Sequence, residues 1–176
     1  MHYTFPLGDQ ANWQQSINCS DLALSWLQDS ASLTAKLKAL NSDFSLTLLG
    51  QGWLADNNQQ TYLAREVLLN SGGKAVVYAH TRIPQASLTG ENHFLSQLET
   101  KPLGEAIFQQ RDLVRSLIEY AEFSAVSTVG VVAQNWRSEK RATPMDNLFG
   151  RRSTFLVNQQ PIFVSEIFLP DSPLYL

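Results

Sequence analysis

The clearest alternation of apolar and polar positions lies in the last quarter of the chain, at residues 150–175. β-Branched and aromatic residues at 154–157 and 162–169 predict the two strands of a hairpin, joined by a polar turn at 158–161. Because successive side chains of a strand point to opposite faces, one face of the second strand carries Ile162, Val164, Glu166 and Phe168. Glu166 is the single charged residue of that face. It is either a polar residue of an edge strand or a carboxylate held among apolar neighbours by a partner.

A second hairpin is predicted at residues 62–69 and 75–83, where apolar and β-branched residues flank Gly72-Gly73. With these glycines as a two-residue turn, one face carries two arginines and a histidine among apolar side chains. The members of this face are Leu63, Arg65, Val67, Leu69, Val76, Tyr78, His80 and Arg82. The other face is equally apolar, so both faces of the hairpin are expected to be covered.

Arg65 and Arg82 are therefore expected to be buried, and a buried arginine needs an anion. Two explanations fit this pattern equally well. Arg65 forms a structural ion pair with Glu166 or Glu66, or the two arginines bind the acidic groups of a ligand.

Apolar residues that recur every three or four positions predict four short helices, at Asp21–Leu27, Leu33–Leu40, 90–99 and 103–108. Ser20 is expected to cap the first helix. The residues expected to face inward from the first two helices are Leu22, Trp26, Leu27, Leu33, Leu37 and Leu40. Alternating apolar and polar residues at 44–49 predict a strand. Gly50 and Gly52, which follow it, are expected to interrupt the regular strand. Residues 111–120 fit a helix or a strand.

Residues 121–149 show the least regular pattern. Residues 127–133 fit a strand, whereas 135–147 are polar and typical of a loop. The basic residues of this loop are Arg137, Lys140 and Arg141, but Glu139 and Asp146 interrupt them. A solvated loop is therefore favoured over a nucleic-acid surface.

The whole-chain composition narrows the protein class. Its 176 residues suffice for one domain, and 44% hydrophobic with 16% charged residues indicates a globular protein. The sequence contains no apolar run of transmembrane length and no signal-peptide pattern. Cys19 is the single cysteine, and the formal net charge is −3. These features favour a cytoplasmic protein with no stable membrane insertion and no nucleic-acid partner.

The motifs of nucleotide, metal and serine-hydrolase sites are absent from the sequence. The three histidines lack ligand-like spacing, so neither a metal nor another cofactor is expected. Two strand arginines, one strand glutamate and apolar surroundings remain. This combination suits a small aromatic or cyclic acid whose carboxylates are held by arginine.

Three blocks of the sequence resemble the bacterial chorismate pyruvate-lyase family, whose members make 4-hydroxybenzoate for ubiquinone synthesis. The blocks are YLAREVLLNSGGKAVVYAHTRIP at 62–84, KPLGEAIF at 101–108 and GRRSTFLVNQQPIFVSEIFLPDSPLY at 150–175. The third is the most specific, because its GRRS, EIFLP and SPLY segments all stand in register. The similarity extends from about residue 26 to the end of the chain, except for 121–149.

The resemblance implies an α+β fold of residues 1–176, with one antiparallel sheet of about six strands, helices packed on it, and helical flaps over an enclosed ligand. It implies that Arg65 holds the product carboxylate and Glu166 the product hydroxyl. Backbone groups of Leu33 and Leu103 are expected to complete the site, with Leu33 standing where the family is expected to have Met. Arg82 matches a further site arginine, which we assign to the enolpyruvyl carboxylate of chorismate.

Glu166 and Arg82 are therefore the candidate catalytic residues for cofactor-free release of pyruvate. The segment 121–149 is expected to be a family-atypical insertion, either a surface elaboration or an added lid. We expect a monomer whose partners are chorismate and 4-hydroxybenzoate. The same fold occurs in the effector-binding domains of bacterial transcription regulators, so a small-acid binding domain without chemistry is the alternative. A third hypothesis is an inactive binding protein.

Overall fold

Six antiparallel strands form the centre of the described part of the chain, residues 2–138 and 147–176 of a computed structural model. The strands are β1 Phe44–Ala55, β2 Thr61–Ser71, β3 Lys74–Pro84, β4 Val114–Ser124, β5 Asn147–Val157 and β6 Gln160–Phe168. Their order in the sheet is β1-β2-β3-β6-β5-β4, so two three-stranded meanders join through the pairing of β3 with β6. The predicted antiparallel sheet is confirmed.

Four α-helices accompany the sheet among the described residues: α1 Asp21–Leu27, α2 Leu33–Leu40, α3 Leu103–Ile107 and α4 Thr128–Ala133. Short 3-10 helices cover Gln85–Leu88, Gly90–Gln97, Gln134–Trp136 and Pro173–Tyr175. None of the helices in this part of the chain is long and apolar enough to cross a membrane.

Helices α1 and α2 begin and end where the sequence predicts. The side-chain oxygens of Ser20 and Ser32 accept hydrogen bonds from N–H groups of the first turn, which explains both starting points. The predicted inward orientation is wrong for Leu22 and Leu40, which are 42% and 58% exposed. Both short helices pack only a narrow stripe against the sheet, so the flanking leucines stay in solvent.

For residues 111–120, which fit a helix or a strand, the structure shows the strand, as β4. Three other predictions are corrected by the structure. Residues 90–97 form a 3-10 helix rather than an α-helix, and the strand predicted at 127–133 is wrong, because Thr128–Ala133 form helix α4. Strand β1 continues through Gly50 to Ala55. Glycine is needed at position 50 because a Cβ there would overlap the ring of Phe5, which crosses the strand.

The β5–β6 hairpin is confirmed, with a tighter turn than predicted. Asn158 and Gln159 alone form the turn, and both have positive φ angles, 48° and 63°, as a two-residue hairpin turn requires. Val157 therefore pairs with Gln160. The same register places Arg151 directly opposite Glu166.

The β2–β3 hairpin turns at Gly72-Gly73 as predicted, but its register is shifted by one residue. Ser71 pairs with Lys74 and Asn70 with Ala75, after which Leu69 pairs with Val77, so Val76 is a bulge. A shift of one residue moves every later side chain of β3 to the other face.

The bulge corrects the predicted neighbours of Arg65. Arg65 pairs with Thr81, while His80 pairs with Glu66 and Arg82 with Ala64. We call the face of the sheet that carries Arg65 and Glu166 the front face, and the face that carries Glu66 and His80 the back face. Arg82 therefore lies on the back face, opposite the one predicted.

Both faces are covered, as the apolar pattern of β2 and β3 predicts. The front-face core packs against α1, α2, α3 and the 3-10 helices other than Gln134–Trp136. The back-face core packs against the N-terminal residues, α4 and Trp136. Within 121–149, residues 121–124 complete β4 and residues 147–149 begin β5. Trp136 stacks on Tyr78 of the back face, with 5.6 Å between ring centroids. Helix α4 and Trp136 thus pack on the back face, away from the cavity side of the sheet. The remainder of the segment, including Glu139, Lys140, Arg141 and Asp146, lies outside the described residues.

Glu66 anchors the N-terminal segment to the back face. Its fully buried carboxylate accepts hydrogen bonds from Tyr3 Oη at 2.7 Å and from the N–H groups of Gly8 and Leu7 at 2.8 and 3.1 Å, and it pairs with His80 Nδ1 at 2.9 Å. Burial alone would raise the pKa of Glu66, but these hydrogen bonds outweigh it and lower the pKa to about 2.

This depressed pKa predicts a loss of stability in acid. A carboxyl group whose pKa is lower in the folded state stabilises the fold above its unfolded pKa of about 4.5, and that contribution is lost as the pH falls towards 2. Glu66→Gln should therefore lower the free energy of unfolding at pH 7 by on the order of 3 kcal/mol, and by much less near pH 2.5. Urea titration across this pH range measures both values.

The control for this experiment is Glu119→Gln, which removes a partly exposed carboxylate on the same face. Its effect should be about 1 kcal/mol or less. The role given to Glu66 would be contradicted if the free energies of unfolding of the wild-type protein and Glu66→Gln differed by the same amount at pH 7 and at pH 2.5.

Candidate active site

A cavity lies between the front face of the sheet and helices α2 and α3. Its walls are mostly apolar and come from Leu33, Val67, Leu69, Ala79, Leu103, Ile107, Phe108, Phe155 and Val164. Three charged side chains reach it from three strands: Arg65 from β2, Arg115 from β4 and Glu166 from β6. The setting therefore combines apolar surface with few, separated charges, as small-molecule sites do.

Arg65 is 1% exposed and has no carboxylate partner among the described residues. Its Nη2 donates hydrogen bonds to the backbone oxygens of Glu99 and Lys101, at 2.9 and 3.1 Å, while its Nε is buried without a partner. Burial lowers the pKa of Arg65 to about 10, so the side chain is still cationic at neutral pH. A buried cation with an unused donor is a candidate binding site for an anion.

Glu166 is paired with Arg151, not with Arg65. Arg151 Nε donates a hydrogen bond of 2.6 Å to Glu166 Oε2, and the Glu166 side chain is 14% exposed. The predicted structural pair of Arg65 with Glu166 or Glu66 is therefore wrong, because Arg65 binds backbone oxygens and Glu66 binds His80.

Arg151 is fully buried and joins the sheet to helix α1. Its Nη1 donates to the backbone oxygens of Trp26, Leu27 and Asp29, at 3.2, 3.4 and 2.7 Å. Trp26 and Leu27 are the last residues of helix α1, where the carbonyl oxygens have no N–H donor within the helix. Sequence reasoning missed Arg151, although a two-residue turn at 158–159 would have placed it opposite Glu166.

Leu33 and Leu103, expected to contribute backbone groups, are the first residues of α2 and α3. An N–H at this position has no acceptor within its own helix and is available to a ligand. The two helix starts meet at Gly104, where a Cβ would lie 3.1 Å from Thr34 Oγ1. An ion pair between Lys38 and Glu105 also links the helices. Together α2 and α3 cover the cavity, as the helical flaps implied by the resemblance would.

Arg115 is a cavity residue that sequence reasoning missed. Its Nη1 donates to the Asp29 backbone oxygen at 3.0 Å, and its guanidinium lies 4.6 Å from the centroid of the Phe155 ring. The segment around it fits a helix or a strand, so the sequence did not show which way this side chain points. Burial, together with the positive charge of Arg151, lowers the pKa of Arg115.

Arg82 does not reach the cavity. It lies on the back face, where its guanidinium stacks 4.6 Å from the centroid of the Tyr62 ring and lines a separate groove with Asp9, Glu119 and Arg152. The sheet separates Arg82 from Arg65 and Glu166. The structure thus brings together four of the five predicted site residues and excludes Arg82, because of the bulge at Val76.

Comparison of the sequence with known proteins identifies its family. A family model for chorismate lyase matches residues 7–176. The chain belongs to the chorismate lyase family.

Curated relatives of similar length share this assignment. A probable chorismate pyruvate-lyase from Psychromonas ingrahamii is 37% identical over 97% of this chain and 96% of its own. Proteins with the same description from Pseudoalteromonas translucida and Shewanella sp. strain ANA-3 are 36% and 35% identical, over 98% and 95% of this chain and 99% and 92% of their own.

Solved structures show that the fold also occurs in a transcriptional regulator of the GntR family from Bacillus cereus, which aligns with a TM-score of 0.51 and 11% identity over 73% of this chain and 93% of its own. PhnF from Mycobacterium smegmatis aligns with a TM-score of 0.57 and 18% identity, over 81% of this chain and 65% of its own. The effector domain of PhnF alone aligns with a TM-score of 0.53 and 19% identity, over 80% and 90%. At these identities the likeness concerns the fold alone, and it confirms the shared architecture expected from the sequence.

The buried pair of Arg151 and Glu166 generates a stability prediction. Arg151→Met leaves the Glu166 carboxylate and the backbone oxygens of Trp26 and Leu27 without the donor that Arg151 supplies. We therefore expect the free energy of unfolding to fall by about 3 kcal/mol or more. The adjacent Arg152→Met is the matched control, because it breaks a partly exposed pair with Glu119 and should cost about 1 kcal/mol or less. Urea denaturation of the two variants measures the difference, and equal losses would contradict the role given to Arg151.

Proposed function

We propose that this protein is a chorismate pyruvate-lyase, which converts chorismate to 4-hydroxybenzoate and pyruvate. One observation carries the proposal: in a member of the chorismate lyase family, an apolar cavity holds a buried arginine with an unused donor and, on another strand, a carboxylate. A para-substituted ring with a carboxylate at one end and a hydroxyl at the other is complementary to this arrangement.

The ring carboxylate binds at Arg65. The unpartnered Nε and the cationic guanidinium give it a charge-assisted hydrogen bond in a site of low polarity. The hydroxyl group of the ring faces Glu166, and the first N–H groups of α2 and α3, at Leu33 and Leu103, complete the polar contacts. The apolar walls pack against the two faces of the ring.

The reaction removes the proton on C4 of the ring and breaks the bond between C3 and the ether oxygen. The electrons of the C4–H bond complete the aromatic ring, and the enolpyruvyl group leaves with the ether oxygen and takes up a proton to become pyruvate. Aromatisation supplies the driving force. The protein therefore has to hold the reactive conformer, exclude water and accept or donate protons.

Glu166 is the catalytic carboxylate in this scheme. It lines the cavity next to the C4 substituents, and its bond to Arg151 fixes the side chain in one orientation. The scheme assigns to Glu166 the proton transfer or the stabilisation of charge at C4. The alternative, a small-acid binding domain like those of the regulators, uses the same contacts and performs no chemistry.

The wider setting follows from this activity. The product 4-hydroxybenzoate enters ubiquinone synthesis, and the enzyme acts in the cytoplasm as a monomer. Binding of 4-hydroxybenzoate as a product ligand is part of the same proposal, since the polar contacts assigned to the ring remain after pyruvate has left.

Turnover is the test of the proposed function. Purified protein treated with EDTA should release 4-hydroxybenzoate and pyruvate from chorismate in equal amounts, because no step needs a metal or a nucleotide. Absorbance of 4-hydroxybenzoate and a coupled pyruvate assay measure the two products. Binding of 4-hydroxybenzoate without turnover would favour the binding domain, and activity that returns only with an added metal would contradict the cofactor-free scheme.

A second prediction concerns the geometry at Arg65. Arg65→Lys keeps the positive charge but loses the planar array of donors. We expect 4-hydroxybenzoate to bind about 30-fold more weakly, or by about 2 kcal/mol, as measured by titration calorimetry. Arg82→Lys is the matched control and should leave the affinity unchanged. Unchanged affinity in a folded Arg65→Lys protein would remove Arg65 from the site.

A third prediction separates the roles open to Glu166. If Glu166 acts in proton transfer or charge stabilisation, Glu166→Gln should depress turnover far more than affinity for 4-hydroxybenzoate. A role limited to the hydroxyl hydrogen bond would lower both modestly, and a purely structural role would lower the melting temperature with or without ligand. We expect the first result. Near-normal turnover with a lowered melting temperature would contradict it.

A further inference from the structure

Arg115 is the second cation of the cavity, and its donors are only partly used. Nη1 donates to the Asp29 backbone oxygen at 3.0 Å, while Nε is buried without a hydrogen-bond partner. The guanidinium stacks on Phe155, itself a cavity residue, at 4.6 Å from the ring centroid. None of the ion pairs found in residues 2–138 and 147–176 includes Arg115.

The position of Arg115 relative to Glu166 follows from a shared acceptor. The Asp29 backbone oxygen accepts hydrogen bonds from Arg115 Nη1 and from Arg151 Nη1, at 3.0 and 2.7 Å. Arg151 in turn bonds Glu166 at 2.6 Å. Arg115 and Glu166 are therefore both neighbours of one guanidinium. The pKa of Arg115 reflects this proximity, since Arg151 lowers it and Glu166 raises it after the larger effect of burial.

The chemistry of the substrate requires a cation at this place. Chorismate carries its enolpyruvyl ether on C3, beside the C4 hydroxyl, so its second carboxylate extends sideways from the end of the ring that faces Glu166. Arg65 holds the other end of the ring. Arg151 already donates hydrogen bonds from Nε to Glu166 and from Nη1 to three backbone oxygens. Arg82 is on the other face of the sheet.

We propose that Arg115 binds the enolpyruvyl carboxylate of chorismate and is therefore a specificity-determining residue that distinguishes substrate from product. The inference rests on the proposed function and adds the second anchor that the scheme needs. The product lacks this carboxylate, so the contact exists only until pyruvate leaves. Arg65 holds substrate and product alike, whereas Arg115 holds the substrate alone.

The test compares two ligands on one variant, Arg115→Gln. The first ligand is 4-hydroxybenzoate, and the second is 3-(carboxymethoxy)-4-hydroxybenzoate, an inert compound that carries a second carboxylate on the ether at C3. By titration calorimetry, the variant should bind the first within about 2-fold of the wild-type protein. It should bind the second about 30-fold more weakly, the loss expected for a charge-assisted hydrogen bond. The kcat/KM for chorismate should fall by a similar factor or more.

Arg82→Gln, on the back face, is the matched control and should change neither affinity. If Arg115→Gln fails to fold, as shown by its melting curve, Arg115→Lys replaces it, since that variant keeps the charge and loses the planar donors. Arg115→Lys should weaken the binding of the compound with two carboxylates and leave the binding of 4-hydroxybenzoate unchanged. Equal losses for the two ligands would assign Arg115 to general support of the cavity and overturn the inference, as would no loss for either.

Failure of this inference is distinguishable from failure of the proposed function. The calorimetric comparison depends on binding alone, whereas the proposed function is tested by turnover of chorismate by the wild-type protein. Active wild-type enzyme with unchanged ligand selectivity in Arg115→Gln would overturn only the role of Arg115.

Discussion

The buried guanidinium of Arg151 is the group on which the geometry of the site depends. It is fully buried and bonds the Glu166 carboxylate and the backbone oxygens of Trp26, Leu27 and Asp29. A buried cation is costly unless an anion or other acceptors surround it, and Arg151 has both. The same hydrogen bonds also constrain the partners of Arg151. They fix the end of α1, the start of the connection to α2 and the orientation of the Glu166 carboxylate. One side chain thus positions a candidate catalytic group and the connection that leads into helix α2.

The sheet divides its buried charges between two faces with different tasks. On the front face, Arg65 and Arg115 both have a buried Nε without a partner, so unused donors border a cavity. On the back face, Glu66 has a full set of hydrogen-bond donors and holds the N-terminal segment against the strands. Arg65 and Glu66 are adjacent in sequence and point in opposite directions. Arg65 and Arg115 thus keep donors for the proposed ligand, whereas the carboxylate of Glu66 has its hydrogen bonds filled and supports the fold.

Local patterns made much of the fold predictable from the sequence. Helices α1 and α2 carry serine caps, and the alternation in β5 and β6 identifies both the hairpin and the face of Glu166. The lone charges Arg65 and Glu166 stood out because each is surrounded by apolar positions of its strand. These signals depend on a few neighbouring residues, which is why they survive in the folded structure.

The incorrect predictions share a different origin. The bulge at Val76 adds one residue within an apolar stretch of β3, so the hydrophobic pattern does not reveal it. The bulge moves Arg82 to the other face of the sheet. The pair of Arg151 with Glu166 depends on a two-residue turn at Asn158 and Gln159, where the sequence lacks the expected glycine. The contribution of Arg115 depends on β4 being a strand, a segment that fits either type of element. In the first two cases the outcome was decided by strand register, which the hydrophobic pattern specifies only where one face is polar. In the third it was decided by the type of element.

The most direct measurement is a crystal structure of the protein with 4-hydroxybenzoate. The central claim, that the front-face cavity is the active site, predicts the ligand carboxylate about 3 Å from Arg65 Nε and the ligand hydroxyl within hydrogen-bond distance of Glu166. The ring should lie between the sheet and helices α2 and α3. A ligand bound in the back-face groove beside Arg82, or one whose carboxylate points away from Arg65, would contradict it.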